Sequence, residues 1–314
     1  MGLFSNNKKL CPICNNPTPR LLPTKVEGMP ICKDCDHKID LPDGKVNQMS
    51  LEEFGQYINF YDENQAMRDE FSATYRFDRG FFGGSFAIDV LHRWFRLKDN
   101  DSSLVMDSSS LKSFRILEDT SVLFEGNANA LKRHDNRVAE RAQALSPRIA
   151  QFCMEQREYE MMERMERMRE RQNEDQDDKN QNRPYRSRPS FNADAPVKKF
   201  HVELELDHPY WEFYTWKVDA PSFDREYPSV EGYMSEYRSS TDELHALASN
   251  LMQVINPNAP EISDGAGAQG TASVTRTAPA TNTIEELQKY KELLDSGVIT
   301  EEEFTAKKRQ ILGI

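Results

Sequence analysis

Two C-x2-C pairs stand at the start of the chain, Cys11 with Cys14 and Cys32 with Cys35, separated by seventeen residues. That spacing suits two cysteine knuckles facing each other across one tetrahedral ion, and no other feature limits the local fold so strongly. Two residues between the cysteines of a pair let the intervening amides turn toward the sulfurs. Four thiolates at about 2.3 Å then complete a closed shell, with no open position for water or substrate. The expectation is a zinc ribbon over residues 1–46 in which Cys11, Cys14, Cys32 and Cys35 bind one structural Zn²⁺ ion. An iron site of rubredoxin type uses the same ligands. Four unrelated buried or redox cysteines are the other reading, and His37 would serve as a ligand only if one cysteine dropped out.

With four of its five cysteines in such pairs, the chain looks like a metal binder from a reducing compartment rather than a disulfide framework. Whether the rest can form one globule is a matter of composition. Only 38% of the 314 residues are hydrophobic and 29% are charged, so packed modules joined by linkers are expected. The formal charge of −12 repels nucleic acid and anionic membranes unless a basic patch overrides it. Residues 1–46 carry seven Lys/Arg against five Asp/Glu, and an ion with four thiolates brings that module close to neutral, short of the clustered positive charge that phosphate binding needs. The start MGLFSNNKKL has too short an apolar run for a signal peptide, and Asn6 stands where a myristoylation motif takes Ser or Thr. A cytoplasmic protein without a membrane span is expected.

Beyond the cysteines, Ser50 with Glu53 forms a capping box, and Phe54, Tyr57, Ile58 and Tyr61 recur at helical spacing, which predicts a connecting helix within 47–70. Residues 71–126 hold short Phe, Val and Ile runs (ATYRF, SFAIDVL, RWFRL, SLVM, FRIL, SVLF) with the look of strands, divided by turns such as Gly83-Gly84. The signal returns at FHVELELD, where Phe200, Val202, Leu204 and Leu206 alternate with polar residues, and WEFYTWKV follows as a second strand. A helix from about Ser229 to Ile255 then closes a β-rich domain of 71–126 plus 197–256.

Between the strand groups, 127–171 is expected as a charged helical insert, with Ser146 and Pro147 at its start and Glu160 to Arg164 and Glu163 to Arg167 as supporting pairs. Met154, Met161, Met165 and Met168 share one side of it, as a coiled-coil seam, a partner face, or packing on the chain's own sheet. Polar residues 172–196 are expected to be disordered and 257–282 to be a flexible linker. Two further capping boxes, Thr283 with Glu286 and Thr300 with Glu303, together with Gly297 predict a helical hairpin over 283–314. Its apolar residues are too many for a solvated tail and too few for an independent core. The whole is α+β and multidomain.

No H-E-x-x-H, G-x-S-x-G, P-loop or G-x-G-x-x-G motif occurs. Glu203, Glu205 and Asp207 near His201 and His208 are explained by strand alternation, and Cys153 by burial as a small hydrophobe. RPYRSRP at 183–189 is a charge-mixed linker or, with the ribbon, a nucleic-acid contact. Arg76, Arg79, Arg93 and Arg96 are the candidates for a phosphoinositide-type pocket.

On these residues the chain resembles known families at three places. IEELQKYKELLDSGVITEEEFTAKKRQILGI resembles a SHOCT domain, a short C-terminal module of many bacterial proteins, matching D-x-G-x-I-T, E-E-E-F and K-K-x-x-I-L. MGLFSNNKKLCPIC, ICKDC and FYDENQAMRDEFSATYRF resemble the opening zinc ribbon, a domain of unknown function, of a group of bacterial and phage-borne proteins, and the four cysteines carry over one for one. In that group the middle looks like a pleckstrin-homology-like (PH-like) domain, to which SFRILED, KKFHVELELDHPYWEFYTWKV and the helix from Ser229 are similar, whereas the Met-rich insert departs from it. The resemblance implies no enzymatic activity, and it implies a protein partner or homo-oligomer through the SHOCT hairpin. The resulting expectation is a non-enzymatic zinc-binding adaptor or scaffold, the alternative being a nucleic-acid-associated regulator.

Overall fold

In chain order the elements of the computed structural model are β1 (Lys25–Val26), β2 (Met29–Pro30), α1 (Lys33–His37), α2 (Leu51–Glu63), α3 (Gln65–Glu70), β3 (Tyr75–Asp78), β4 (Ser85–Asp89), β5 (Trp94–Arg96), β6 (Leu111–Glu118), β7 (Ser121–Asn127), β8 (Leu131–Arg133), α4 (Val138–Gln143), α5 (Ser146–Gln172), β9 (Lys199–Leu206), β10 (Phe213–Asp219), α6 (Val230–Ile255) and β11 (Glu261–Ser263). The structure describes residues 10–79, 84–172 and 187–263, all within the unit 1–266. The hairpin expected at 283–314, residues 264–282 of the expected linker, residues 173–186 and Gly83 lie outside the described residues.

Among the described residues the fold is mixed α+β with three sheets. Strand β9 shows how the largest one forms. Phe200, Val202, Leu204 and Leu206 are buried while the residues between them face outward, the period-two pattern of a sheet with one wet face. β9 pairs antiparallel with β6 (Ile116 opposite Val202) and with β10 (Trp216 opposite Val202), giving the order β10-β9-β6-β7-β8-β11, antiparallel except for β11 beside β8. The neighbours β6 and β9 thus meet across the whole intervening insert.

Helix α6 starts at its Ser229 N-cap, which accepts from the Gly232 N–H. It lays Leu244, Leu247, Ala248, Leu251 and Met252 into the core. Gly126 lets it approach, since a Cβ there would overlap the Phe114 ring and the Met252 sulfur. The small antiparallel sheet β3-β4-β5 packs on the same core, Phe86 stacking on Trp216 at 5.5 Å. At its β4–β5 turn Arg93 adopts φ +59°, and its guanidinium donates to the Val254 and Ile255 carbonyls at 2.6 to 3.0 Å. These are orphan carbonyls at the end of α6, and a cation there also complements the helix dipole.

Four expectations are corrected. The insert 127–171 is not helical throughout, because Asn127 accepts from the Asn129 and Ala130 N–H groups in an Asx turn that returns the chain as β8. Residues 187–196 are ordered around a buried aromatic: Phe191 lies between Phe152 and Phe223, and its N–H donates to the Arg225 carbonyl. A polar average conceals an aromatic anchor. Of the segment expected as linker from 257, residues 261–263 form β11. Finally, Ser103–Met106 is no strand, although it is buried and Met106 bridges to Phe95. At Leu104 and Val105 the main chain is satisfied by side chains instead. Asn64 Oδ1 accepts from the Val105 N–H at 2.9 Å while its Nδ2 donates to the Val105 carbonyl at 2.8 Å, and the Leu104 N–H donates to Asp40 at 2.9 Å.

Candidate metal centre

The first cysteine pair sits on a tight turn. The Asn15 N–H donates to the Cys11 carbonyl at 2.9 Å, and Asn15 takes φ +58°, a conformation its short polar side chain tolerates. The chain then reaches the β1–β2 hairpin, whose connecting residues Glu27 and Gly28 both have positive φ (+49° and +78°), as a two-residue turn matched to strand twist requires. The second pair departs from the two facing knuckles expected. Cys32 is the N-cap of α1, and its Sγ accepts from the Cys35 N–H at 3.4 Å. The sulfur occupies the place of the usual capping oxygen at the start of the helix.

The four ligand sulfurs lie within 4.8 Å of one another. The separations are 3.3 Å for Cys14 to Cys32, 3.6 Å for Cys35 to Cys14 and 3.9 Å for Cys11 to Cys35. A tetrahedral ion with four thiolates at ~2.3 Å has sulfur–sulfur edges of about 3.8 Å, so the donor set fits a single metal ion. Cys11, Cys32 and Cys35 are buried and Cys14 is exposed. Burial pushes the Cys35 thiol far up, and the adjacent sulfurs push it further. Burial also acts against ionisation of Cys11, but the amides of Cys32, Cys14 and Ile13 outweigh it and bring its thiol down to about 7. Packed this closely, the four sulfurs can all be thiolates only beside a cation. His37 is not among the clustered donors.

The cysteine module docks on the rest of the unit through α2. This helix begins with the expected capping box, Ser50 accepting from the Glu53 N–H at 3.2 Å and Glu53 accepting from the Ser50 N–H at 2.8 Å. Phe54, Tyr57, Ile58 and Tyr61 pack with Cys11, Val26, Ile31, Cys32 and Cys35 in one cluster. The Tyr57 hydroxyl accepts from the Asp40 N–H at 2.7 Å and donates to the Lys38 carbonyl at 2.6 Å. On the far side the Trp211 indole donates to the Asp40 carbonyl at 3.1 Å, and Tyr210 meets Tyr57 edge-on at 5.0 Å. The alternation that marks FHVELELD and WEFYTWKV as strands does not show this joint. A hairpin connection that runs His-Pro-Tyr-Trp, with two aromatics where a solvated turn has none, was the available signal.

The other candidates are accounted for singly. Glu203 pairs with Arg115 at 2.7 Å and Glu205 accepts from Ser113 at 2.9 Å on the wet face of the sheet. His208 is pushed down to about 4 by burial, Asp107 opposing. Arg76 pairs with Asp99, Arg79 donates to the Tyr214 hydroxyl, Arg93 caps α6, and Arg96 is buried over Phe71 and donates to the Arg68 carbonyl. The four arginines line no common pocket in these contacts. Arg188 pairs with Glu226, while residues 183–186 lie outside the described residues. Cys153 is half-buried in α5. No helix among the described residues is long and apolar enough to cross a membrane.

Residues 285–312 match the family model of the Short C-terminal domain, SHOCT. No curated protein and no solved structure matches the chain.

Proposed function

We propose that the protein is a non-enzymatic cytoplasmic adaptor of bacterial or phage origin, in which Zn²⁺ at Cys11, Cys14, Cys32 and Cys35 holds the N-terminal module, a PH-like body presents a binding surface, and the SHOCT segment joins a protein partner or sister subunits. The SHOCT match at 285–312 carries this reading, since such domains are often protein-interaction modules. The closed cysteine set supports the structural role of the ion. Four thiolates suit zinc and leave no place for a substrate. The acidic balance of the chain favours a protein partner over nucleic acid.

Deleting residues 283–314 tests it. The truncated chain, followed by sedimentation and by retention of the partner that co-purifies with the full chain, loses oligomeric mass or that partner. Unchanged mass together with an unchanged partner overturns the reading.

A further inference from the structure

Helix α5 is tied to the body by Phe152 and Gln156, whose side chains are buried. Along the same helix Met154, Met161, Met165 and Met168 are 70%, 62%, 58% and 59% exposed. At about 100° per residue these four fall within an arc of roughly 60° along about 20 Å of helix. Single exposed apolar side chains need no explanation, but four in register form a continuous stripe. The exposure excludes packing on the chain's own sheet, one of the three roles the sequence leaves open. Methionine is flexible and polarisable, the side chain of surfaces that mould to a partner.

The border of the stripe says what kind of partner. Arg157 and Arg164 flank it on one side, Arg169 and Glu158 on the other, all exposed and within about 80° of its centre. Arg157, Arg164 and Arg169 form no ion pair among the described residues, and the expected Glu160 to Arg164 pair is absent there, whereas Glu163 and Arg167 pair at 2.6 Å farther round the helix. A second copy of α5 is a poor occupant. In a parallel pair Arg164 would oppose Arg169 across the seam, and in an antiparallel pair the Arg157 and Arg164 row would oppose itself. A polyanion is a poor occupant too, because residues 154–169 carry five Glu against four Arg and the methionines would face no apolar surface.

We propose that this face of α5 docks an amphipathic helix of another protein whose apolar stripe is bordered by Asp and Glu. The methionines bury its apolar side chains, and the three arginines meet its acidic borders. The surface is distinct from residues 285–312 and does not depend on the function proposed above.

Fluorescence anisotropy on the full-length protein tests the proposal with two labelled helical peptides of about 20 residues, sharing one leucine stripe and bordered by Glu in the first and Lys in the second. The Glu-bordered peptide binds, and its Lys-bordered twin binds at least about tenfold more weakly. Combining Met161→Ser with Met165→Ser weakens the Glu peptide by about tenfold or more. Combining Arg157→Glu with Arg164→Glu reverses the preference between the twins. All four positions are exposed, so circular dichroism and the melting temperature of the variants stay at wild-type values. Equal binding of the twins, no binding of either, or insensitivity to the methionine variant overturns the proposal. So does a fall in wild-type oligomeric mass with the methionine variant, which would assign the stripe to a second copy, or salt-sensitive RNA binding lost with the arginine variant.

Discussion

Gly126 shows how much one missing carbon can decide. It lies on β7 under α6, and neither the Phe114 ring nor the Met252 sulfur can move off freely, because both belong to the main core. Gly126→Ala must therefore displace a core ring or lift the helix, and overpacking of this kind costs about 3 kcal/mol. Urea unfolding of the variant shows a midpoint lowered by that loss divided by the slope, with the slope itself unchanged. A loss below about 0.5 kcal/mol would mean that the helix gives way easily. In the sequence Gly126 is one glycine at the end of SVLFEGN, with nothing to distinguish it from a turn residue.

At the scale of elements, the turn between β9 and β10 and the helix α2 form a joint with a predictable pH response. His208 packs edge-on against Phe60 at 5.3 Å and is held neutral by burial, its pKa about 4 against 6.5 for the free side chain. Between those values the unfolded chain takes up a proton that the folded chain refuses. The contribution is therefore complete above pH 6.5 and is lost as the pH falls toward 4. A shift of this size corresponds to at most about 3 kcal/mol, reduced by the ring's residual exposure. Subtracting the stability profile of His208→Gln from that of the wild type isolates it, and parallel profiles from pH 7 to 4 would refute the assignment. Elements with an unbroken local rhythm were legible in sequence: α2 from its capping box, β9 from its alternation, α6 from Ser229 onward. The four cysteines were legible as a set because their spacing is itself the geometry. Elements fixed by one distant contact were not. The alternation in WEFYTWKV suggests a strand but gives no hint that Trp211 just before it reaches Asp40, and QNRPYRSRPSFNADAP gives no hint that Phe191 is a core residue. Ser103–Met106 looks like a strand because strands and buried strips share their residue types, and only the partners Asn64 and Asp40 tell them apart.

For the molecule as a whole, the joint makes the candidate metal centre more than a local staple. Cys11, Cys32 and Cys35 share a cluster with α2, and α2 meets the body through Asp40, Asn64, Tyr57 and Trp211. Stripping the proposed ion with a chelator is expected to loosen this contact, so that Trp211 becomes hydrated and the protein fluorescence shifts to the red; Trp211→Phe removes most of the shift. Cys32→Ser shows the same spectrum without chelator and less than one equivalent of zinc. A full equivalent of metal in that variant, or an unmoved spectrum on chelation, would contradict the coupling. The distance along the chain between the two halves of the joint also matters during synthesis. The ligand set is complete at Cys35, whereas Trp211, whose indole donates to the Asp40 carbonyl, lies 171 residues beyond Asp40. At elongation rates of about 5–20 residues per second, roughly 10–30 s separate the two events. On the ribosome the cysteine module can therefore take up the proposed ion and fold long before the body exists, and the body, whose β6 and β9 are also distant in sequence, then closes onto a finished piece.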